Sequence, residues 1–143
     1  MKKVVAISGG MDCLHIGHVR MIQEAKKLGD RLVIILNNDN WLTEKKGFVF
    51  MPEEERKEIL EAIEEVDMVI ISDHQPGTKD MSICKELLMV RPNVFANGGD
   101  RKSDNIPEYE LCEDMNIKMV FSVGGEKIQS SSDLVKDAKA NEE

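Results

Sequence analysis

The chain has 143 residues, the usual length of one domain, and we expect residues 1–143 to form a single domain. Hydrophobic residues make up 41% and charged residues 32%, which is enough for one core and a well-solvated surface. The 19 Lys and Arg against 27 Asp and Glu give a net charge of −8, which disfavours nucleic acids and anionic membranes as partners.

Two further features indicate a cytoplasmic protein. No apolar run is long enough to cross a membrane, and the first residues lack the apolar stretch of a signal peptide. The three cysteines, Cys13, Cys84 and Cys112, are widely spaced and form no C-x-x-C pair. This spacing indicates reduced thiols rather than a disulfide framework or a zinc site.

Along the chain, short apolar runs alternate with longer amphipathic ones. The apolar runs predict strands at 4–7, 32–36, 68–71, 94–96 and 119–123. The amphipathic runs predict helices at 19–28, 52–66, 81–89, 108–115 and 132–140, and the polar stretch 37–50 is assigned no helix. Repeated strand–helix–strand units with long crossovers imply parallel strands. We therefore expect an α/β fold, a Rossmann-like three-layer sandwich with a five-stranded parallel sheet.

In such sheets, ligands bind beyond the carboxyl ends of the strands. Glycine or polar residues follow the predicted strands at 8–10, 37–39, 72–74 and 97–100. His74, in the third of these segments, is expected to be a solvated loop residue.

The segment between the first strand and the first helix is the most informative part of the sequence. It contains His15-Ile16-Gly17-His18, directly before the predicted helix. A helix N-terminus favours a phosphate, and imidazole N–H groups there could stabilise negative charge on a phosphate under attack. The alternative is that the two histidines only satisfy the start of the helix.

Residues 9–18 resemble the G-x-(F/Y)-D-x-x-H-x-G-H motif of the nucleotidyltransferase family that includes glycerol-3-phosphate cytidylyltransferase and the adenylyltransferase domain of ADP-heptose synthesis. The resemblance covers nearly the whole chain. The other matching segments, in order, are 28–33, 37–39, 46–47, 55–56, 66–67, 97–100 and 130–132.

The resemblance assigns roles to individual residues. His15, His18 and Lys46 would be catalytic, acting on the phosphates. Nucleotide or phosphate contacts would come from Gly9, Gly10, Met11, Asp12, Gly17, Arg56, Asn97, Gly99, Asp100, Lys127, Ser130, Ser131 and Ser132. Asn38, Asp39 and Trp41 are candidates for binding the acceptor.

Some positions depart from the family pattern or allow a second interpretation. Met11 replaces the usual aromatic residue, and Lys127 stands in a last signature that lacks the usual arginine and glycine. Trp41 either lines the acceptor pocket or packs against a loop. Arg56, which lies among glutamates, either helps to hold the site or makes surface ion pairs of little value.

The implied reaction transfers a nucleoside monophosphate from ATP or CTP to a phosphorylated small molecule and releases pyrophosphate. The acceptor phosphate is already anionic near neutral pH, so no general base is needed, and Mg²⁺ would enter with the triphosphate. The segments 37–39 and 97–100 are most similar to the ADP-heptose branch, which predicts adenylyl transfer to a sugar 1-phosphate. The alternatives are cytidylyl transfer to glycerol 3-phosphate or another small phosphate or phosphonate, FAD synthesis, and a nucleotide-binding module without catalysis. The family resemblance also implies a homodimer.

Overall fold

A computed structural model describes residues 2–98 and 107–124 of the chain. Its strands are β1 (Val4–Gly9), β2 (Arg31–Leu36), β3 (Met68–Ile71), β4 (Val94–Gly98) and β5 (Lys118–Val123). Its helices are α1 (Ile16–Lys26), α2 (Asp39–Lys46), α3 (Glu53–Glu61), α4 (Cys84–Val90) and α5 (Tyr109–Asp114). The strands form one parallel sheet in the order β3-β2-β1-β4-β5.

Two apolar clusters cover the two faces of this sheet. On one face, Val5 and Ile7 of β1 belong to a cluster with Ile22 of α1 and Leu60 of α3. On the other face, Ala6 belongs to a cluster that also draws on α4 and α5. Because neighbouring residues of a buried strand point to opposite faces, the continuous apolar run at 4–7 serves both clusters. The predicted Rossmann-like α/β sandwich with a five-stranded parallel sheet is confirmed.

The prediction that segment 37–50 contains no helix is wrong, because α2 lies within it. Asn38 caps the helix, and its side-chain oxygen accepts from the backbone N–H of Trp41 at 2.9 Å. Gly47 ends the helix with a φ of +85°. Only Leu42 is buried within α2, so the segment lacks the apolar periodicity that reveals a helix.

The inward face of α3 includes an arginine. Leu60 and Arg56 are buried, while Ile59 is 44% exposed. Arg56 precedes Leu60 by four residues and so lies on the same side of the helix. An arginine thus occupies the position where periodicity alone would place an apolar residue.

Other helix bounds shift by a few residues: α1 ends at Lys26 rather than 28, and α4 starts at Cys84 rather than 81. The helix predicted at 132–140 lies outside the described residues. Across residues 2–98 and 107–124, no helix is long and apolar enough to span a membrane.

Candidate active site

The candidate site lies at the carboxyl edge of the sheet, where β1, β2 and β4 end side by side. The loop after β1 leads into α1 through His15, and the loop after β2 leads into α2 through Asn38. The N-termini of both helices therefore face the same edge as the strand ends.

The two histidines of the motif cap helix α1 reciprocally. Nδ1 of His15 accepts from the backbone N–H of Gly17 at 3.0 Å, and Nδ1 of His18 accepts from the backbone N–H of His15 at 3.2 Å. The two rings lie 4.1 Å apart, tilted by 36°. A ring nitrogen that accepts a hydrogen bond carries no hydrogen, so these two contacts fit the form of each ring that has its hydrogen on Nε2.

Gly17 is required by the position of the His15 ring. A Cβ atom at residue 17 would lie 2.7 Å from Cε1 and 2.9 Å from Nδ1 of His15. The glycine between the histidines therefore lets the imidazole fold back over the helix start. Of the two interpretations of the motif, capping of the helix is seen directly. It uses only the Nδ1 atoms, so it is compatible with phosphate binding through Nε2.

Asp12 connects the loop after β1 to the loop between α2 and α3. Its carboxylate is buried and accepts from the backbone N–H groups of Phe50 at 2.7 Å and Met51 at 2.6 Å. Its carbonyl accepts from Nζ of Lys46 at 3.4 Å. The predicted catalytic lysine and the histidine motif are therefore brought to the same part of the molecule.

Arg56 is buried completely beneath this site, so the interpretation of Arg56 as a surface ion-pair residue is wrong. Its guanidinium donates to the carbonyl groups of Gly10 at 2.6 Å, Asn37 at 2.7 Å and Met51 at 2.8 Å. It also pairs with the carboxylate of Asp39 at 2.8 Å. Arg56 thus holds together the loops that follow β1, β2 and α2.

Trp41 packs against the loop after β1, one of its two predicted roles. A Cβ atom at Gly10 would lie 3.0 Å from Cζ3 of the indole, so glycine is needed for this close approach. The indole N–H donates to the carbonyl of Met81 at 2.9 Å. Contact between Trp41 and an acceptor stays a prediction.

Asn38 and His74 belong to one buried polar network. The Ser72 hydroxyl accepts from the backbone N–H of Asn38 at 3.0 Å and lies 2.7 Å from Nδ1 of His74. Nε2 of His74 donates to the carbonyl of Ser82 at 2.9 Å, and the side-chain amide of Asn38 donates to the carbonyl of His74 at 2.9 Å. The prediction that His74 is solvated is wrong, because these partners allow a histidine to be buried at the end of β3.

The remaining predicted acceptor residue, Asp39, is also bound by side chains of α3. Its backbone N–H donates to Oε1 of Glu53 at 2.9 Å, and its carboxylate pairs with Arg56. The observed contacts of Asn38 and Asp39 thus shape the loop after β2, and their contact with an acceptor stays a prediction.

Two buried asparagines lie at the ends of the strands that flank β1. Asn37 follows β2 and Asn97 lies in β4, and within the described part of the chain neither side-chain oxygen has a hydrogen-bond partner. Buried polar atoms are nearly always paired, so these oxygens suit a ligand that brings hydrogen-bond donors. Asn97 was among the predicted nucleotide contacts. Asn37 was not among them, although a polar residue directly after a buried strand indicates a possible ligand contact.

The other predicted nucleotide contacts either pack within the protein or lie outside the described residues. The Met11 side chain is buried in the cluster on the α1 face, and its φ is 52°, so a nucleotide could meet only its backbone. A Cβ atom added at Gly9 would lie 3.5 Å from the Met11 side chain, an ordinary contact distance, so packing does not require glycine there. The predictions that lie outside the described residues concern Gly99, Asp100, Lys127, Ser130, Ser131 and Ser132.

The cysteine thiols of α4 and α5 are not activated nucleophiles. Burial raises the pKa of Cys112 to about 11, and burial also raises the pKa of Cys84. Both groups therefore stay protonated near neutral pH. In residues 2–98 and 107–124, no group of three or more His, Cys, Asp or Glu is arranged to hold a metal ion.

A Rossmann-like sheet whose first helix starts at an H-x-G-H motif defines a class of nucleotide-handling α/β proteins. Comparison with protein families agrees, because the family model described as cytidylyltransferase-like matches residues 6–139. The chain therefore belongs to the cytidylyltransferase-like family.

Several curated relatives carry the name FAD synthase. The protein from Ferroglobus placidus is 41% identical over 104 residues, which is 73% of this chain and 63% of the relative. The protein from Pyrococcus abyssi is 38% identical over 116 residues, which is 80% of this chain and 75% of the relative. The bifunctional protein HldE of Aliarcobacter butzleri is 29% identical over 143 residues, which is 99% of this chain and 28% of that protein. The chain thus spans just under two thirds of the Ferroglobus protein and a much smaller part of HldE.

Solved structures show the same fold. A lipopolysaccharide core biosynthesis protein from Thermoplasma volcanium superposes with a TM-score of 0.67 at 26% identity, over 85% of this chain and 97% of that one. A protein from Vibrio parahaemolyticus described as a nicotinate-nucleotide adenylyltransferase superposes with a TM-score of 0.57 at 14% identity, over 99% of this chain and 89% of that one. The second likeness concerns the fold alone.

Proposed function

We propose that this nucleotidyltransferase makes FAD by transferring AMP from ATP to FMN with release of pyrophosphate. The choice of acceptor is supported by the FAD synthases of Ferroglobus and Pyrococcus, which are 41% and 38% identical to the chain. The HldE protein of Aliarcobacter is 29% identical. The sugar 1-phosphate expected from the sequence therefore gives way to the FAD-synthase alternative.

The observation that carries the transfer chemistry is the reciprocal capping of His15 and His18. Both Nδ1 atoms accept backbone hydrogen bonds, which makes Nε2–H the donor of each ring. Two fixed N–H donors beside a helix N-terminus suit the negative charge that grows on a phosphate as it becomes five-coordinate. Because the capping bonds orient the rings before substrate arrives, little reorganisation is needed during the reaction.

In the proposed step, a phosphate oxygen of FMN attacks the α-phosphorus of ATP. A new P–O bond forms while the bond from the α-phosphorus to the bridging oxygen breaks, and pyrophosphate leaves with that electron pair. The FMN phosphate is mostly a dianion at neutral pH, since its second pKa is about 6, so no protein base has to remove a proton. His15 and His18 would bind phosphate oxygens by N–H donation, and Lys46 would add positive charge beside them.

Mg²⁺ would enter this scheme with the ATP substrate, bound by phosphate oxygens and water. The Asp12 carboxylate already accepts two backbone N–H groups. Its role in the proposal is therefore to hold the loops rather than to bind the ion. The cytoplasmic location and the homodimer also belong to the proposal, and light scattering of the purified protein tests the second.

The proposal is tested by measuring pyrophosphate release from ATP, CTP, GTP and UTP with Mg²⁺ against a panel of acceptors. The panel contains FMN, sugar 1-phosphates, glycerol 3-phosphate and a simple phosphonate. His18→Ala serves as the inactive variant, and Met89→Ala, which changes an exposed side chain of α4, is the matched control.

We expect pyrophosphate release only with ATP and FMN. The rate of release should fall at least a hundredfold in His18→Ala and stay unchanged in Met89→Ala. Release with ATP and a sugar 1-phosphate would instead support the second candidate, which the match to HldE over 99% of the chain favours. Release with CTP and glycerol 3-phosphate would establish the cytidylyl alternative. If no pair of substrates releases pyrophosphate but the protein binds nucleotide tightly, the protein is a nucleotide-binding module without catalysis.

A further inference from the structure

The loop between α2 and α3 has an unusual composition for a surface segment. Between Gly47 and Pro52 it consists of four consecutive apolar residues, Phe48, Val49, Phe50 and Met51. The side chain of Phe50 is 52% exposed. Binding residues lie disproportionately on loops that a rigid scaffold holds in place, so an exposed aromatic side chain on such a loop is a candidate for contact with a ligand.

The backbone on either side of the Phe50 ring is fixed. Both oxygens of the buried Asp12 carboxylate are engaged, one by the N–H of Phe50 at 2.7 Å and one by the N–H of Met51 at 2.6 Å. Nε of Arg56 donates to the carbonyl of Met51 at 2.8 Å. The ring is therefore presented from a rigid backbone, which lowers the entropy lost when a ligand binds to it.

The same contacts tie the backbone of Phe50 to the loop that carries the histidine motif. Asp12, which holds the loop, precedes His15 by three residues and accepts from Lys46 through its carbonyl at 3.4 Å. A second exposed apolar side chain, Ile16 at 47% exposure, lies inside the motif itself. Exposed apolar side chains thus lie on the segment that carries the histidine motif and on the loop that is hydrogen-bonded to it. A sugar phosphate has no comparable apolar group to cover them.

We propose that Phe50 is a specificity residue that stacks on the planar ring system of the acceptor. This inference rests on the proposed function, in which the acceptor is FMN, whose phosphate would lie toward Lys46 and the histidines. Aromatic rings gain both apolar burial and favourable stacking when they pack face to face with an offset. Phe50 would therefore favour a flavin phosphate over a sugar 1-phosphate.

The test compares steady-state kinetics of FAD formation in Phe50→Ala and Phe50→Trp with those of the wild-type protein. Met68→Ala is the matched control, because Met68 is equally exposed at 53% but lies at the start of β3, on the opposite edge of the sheet. We expect the KM for FMN to rise about tenfold in Phe50→Ala, with kcat and the KM for ATP within about twofold of wild type. Phe50→Trp is expected to restore a low KM and to quench flavin fluorescence on binding more strongly than wild type does.

The possible outcomes separate the two proposals. If the wild-type protein forms FAD and Phe50→Ala leaves the KM for FMN within twofold, Phe50 is not a specificity residue while the proposed function stands. If Phe50→Ala leaves that KM unchanged and alters the oligomeric state, the ring faces a second copy of the chain instead. If the wild-type protein forms no FAD from ATP and FMN, the proposed function and this inference are both wrong.

Discussion

The backbone N–H of His15 donates to Nδ1 of His18 at 3.2 Å, so each histidine of the motif depends on the other for its orientation. His15 in turn caps the helix through Gly17 at 3.0 Å. Helix capping and the proposed phosphate binding are therefore compatible, because capping uses Nδ1 of each ring and phosphate binding would use Nε2.

The first prediction concerns this tautomer. In the nucleotide-free protein, both His15 and His18 should be neutral at pH 7.5 with hydrogen on Nε2, because Nδ1 of each ring accepts a backbone hydrogen bond. Long-range ¹H–¹⁵N correlation spectra of the imidazole nitrogens distinguish the two tautomers and the cation. His74 provides an internal reference, since its Nε2 donates to the carbonyl of Ser82. A doubly protonated His15 or His18 under these conditions would contradict the capping geometry.

The second prediction concerns Gly17→Ala. The new Cβ atom would lie 2.7 Å from the His15 ring and displace it, so turnover should fall at least about tenfold. Stability should change by less than about 1 kcal/mol, because alanine favours a helix over glycine and offsets part of the clash.

Gly77→Ala is the matched control for Gly17→Ala. Its φ is +73° and no atom lies within 4 Å of the new Cβ, so it should cost about 1 kcal/mol of stability and leave turnover unchanged. Kinetic assays and urea titrations of both variants measure the two effects. Full activity in Gly17→Ala would show that the position of the His15 ring is not critical.

The third prediction concerns Arg56→Met, which keeps an unbranched side chain but removes the guanidinium. The carbonyls of Gly10, Asn37 and Met51 would lose their donor in a buried setting, so the free energy of unfolding should fall by about 3 kcal/mol. Urea denaturation measures this loss. The neighbouring Lys57→Met should change stability by less than about 0.5 kcal/mol. A loss below about 1 kcal/mol in Arg56→Met would mean that the three loops hold together without it.

The fourth prediction is a pH dependence of stability at the edge of the sheet opposite the site. Asp67 accepts from Lys26 at 2.5 Å and from the backbone N–H of Leu32 at 2.8 Å, and these bonds lower the pKa of Asp67 below its usual 3.8. An acid with a lowered pKa in the folded state stabilises the protein above its unfolded pKa. That stabilisation disappears as the pH falls through the folded pKa.

Asp67→Asn should therefore be less stable than wild type at pH 7, and the difference should shrink as the pH falls below the usual pKa of 3.8. The Asp67 side chain is 40% exposed, so solvent screening limits the effect to about 1 kcal/mol or less. Urea titrations of both proteins across this pH range give the comparison. A stability difference that grows toward acid pH would contradict the assigned role of Asp67.

Much of the fold was predictable because its strongest signals are local. The buried parallel strands appear as continuous apolar runs, and the structure places β3 exactly at the predicted residues, Met68–Ile71. Helix α2 was missed because only Leu42 faces the core, which leaves capping by Asn38 and Gly47 as its main signals.

In the candidate site, the motif drew attention to His15, Gly17 and His18, but their mutual hydrogen bonds could not be predicted from spacing alone. The burial of Arg56 and His74 depends on partners distant in the chain, such as Gly10 for Arg56. Such partners are known only once the loops after the strands are placed. The same is true of Asn37 and Asn97, whose side-chain oxygens have no hydrogen-bond partner among residues 2–98 and 107–124, a feature that only the folded chain reveals.

The most direct test of the account is a competition experiment with the purified protein, Mg²⁺ and all four nucleoside triphosphates. Equal amounts of FMN, a sugar 1-phosphate and glycerol 3-phosphate are supplied together, and the product is identified by mass spectrometry. The account predicts that FAD is the main product and that His18→Ala forms at least a hundredfold less of it. A sugar nucleotide or a CDP-alcohol as the main product, or equal FAD formation by His18→Ala, would contradict it.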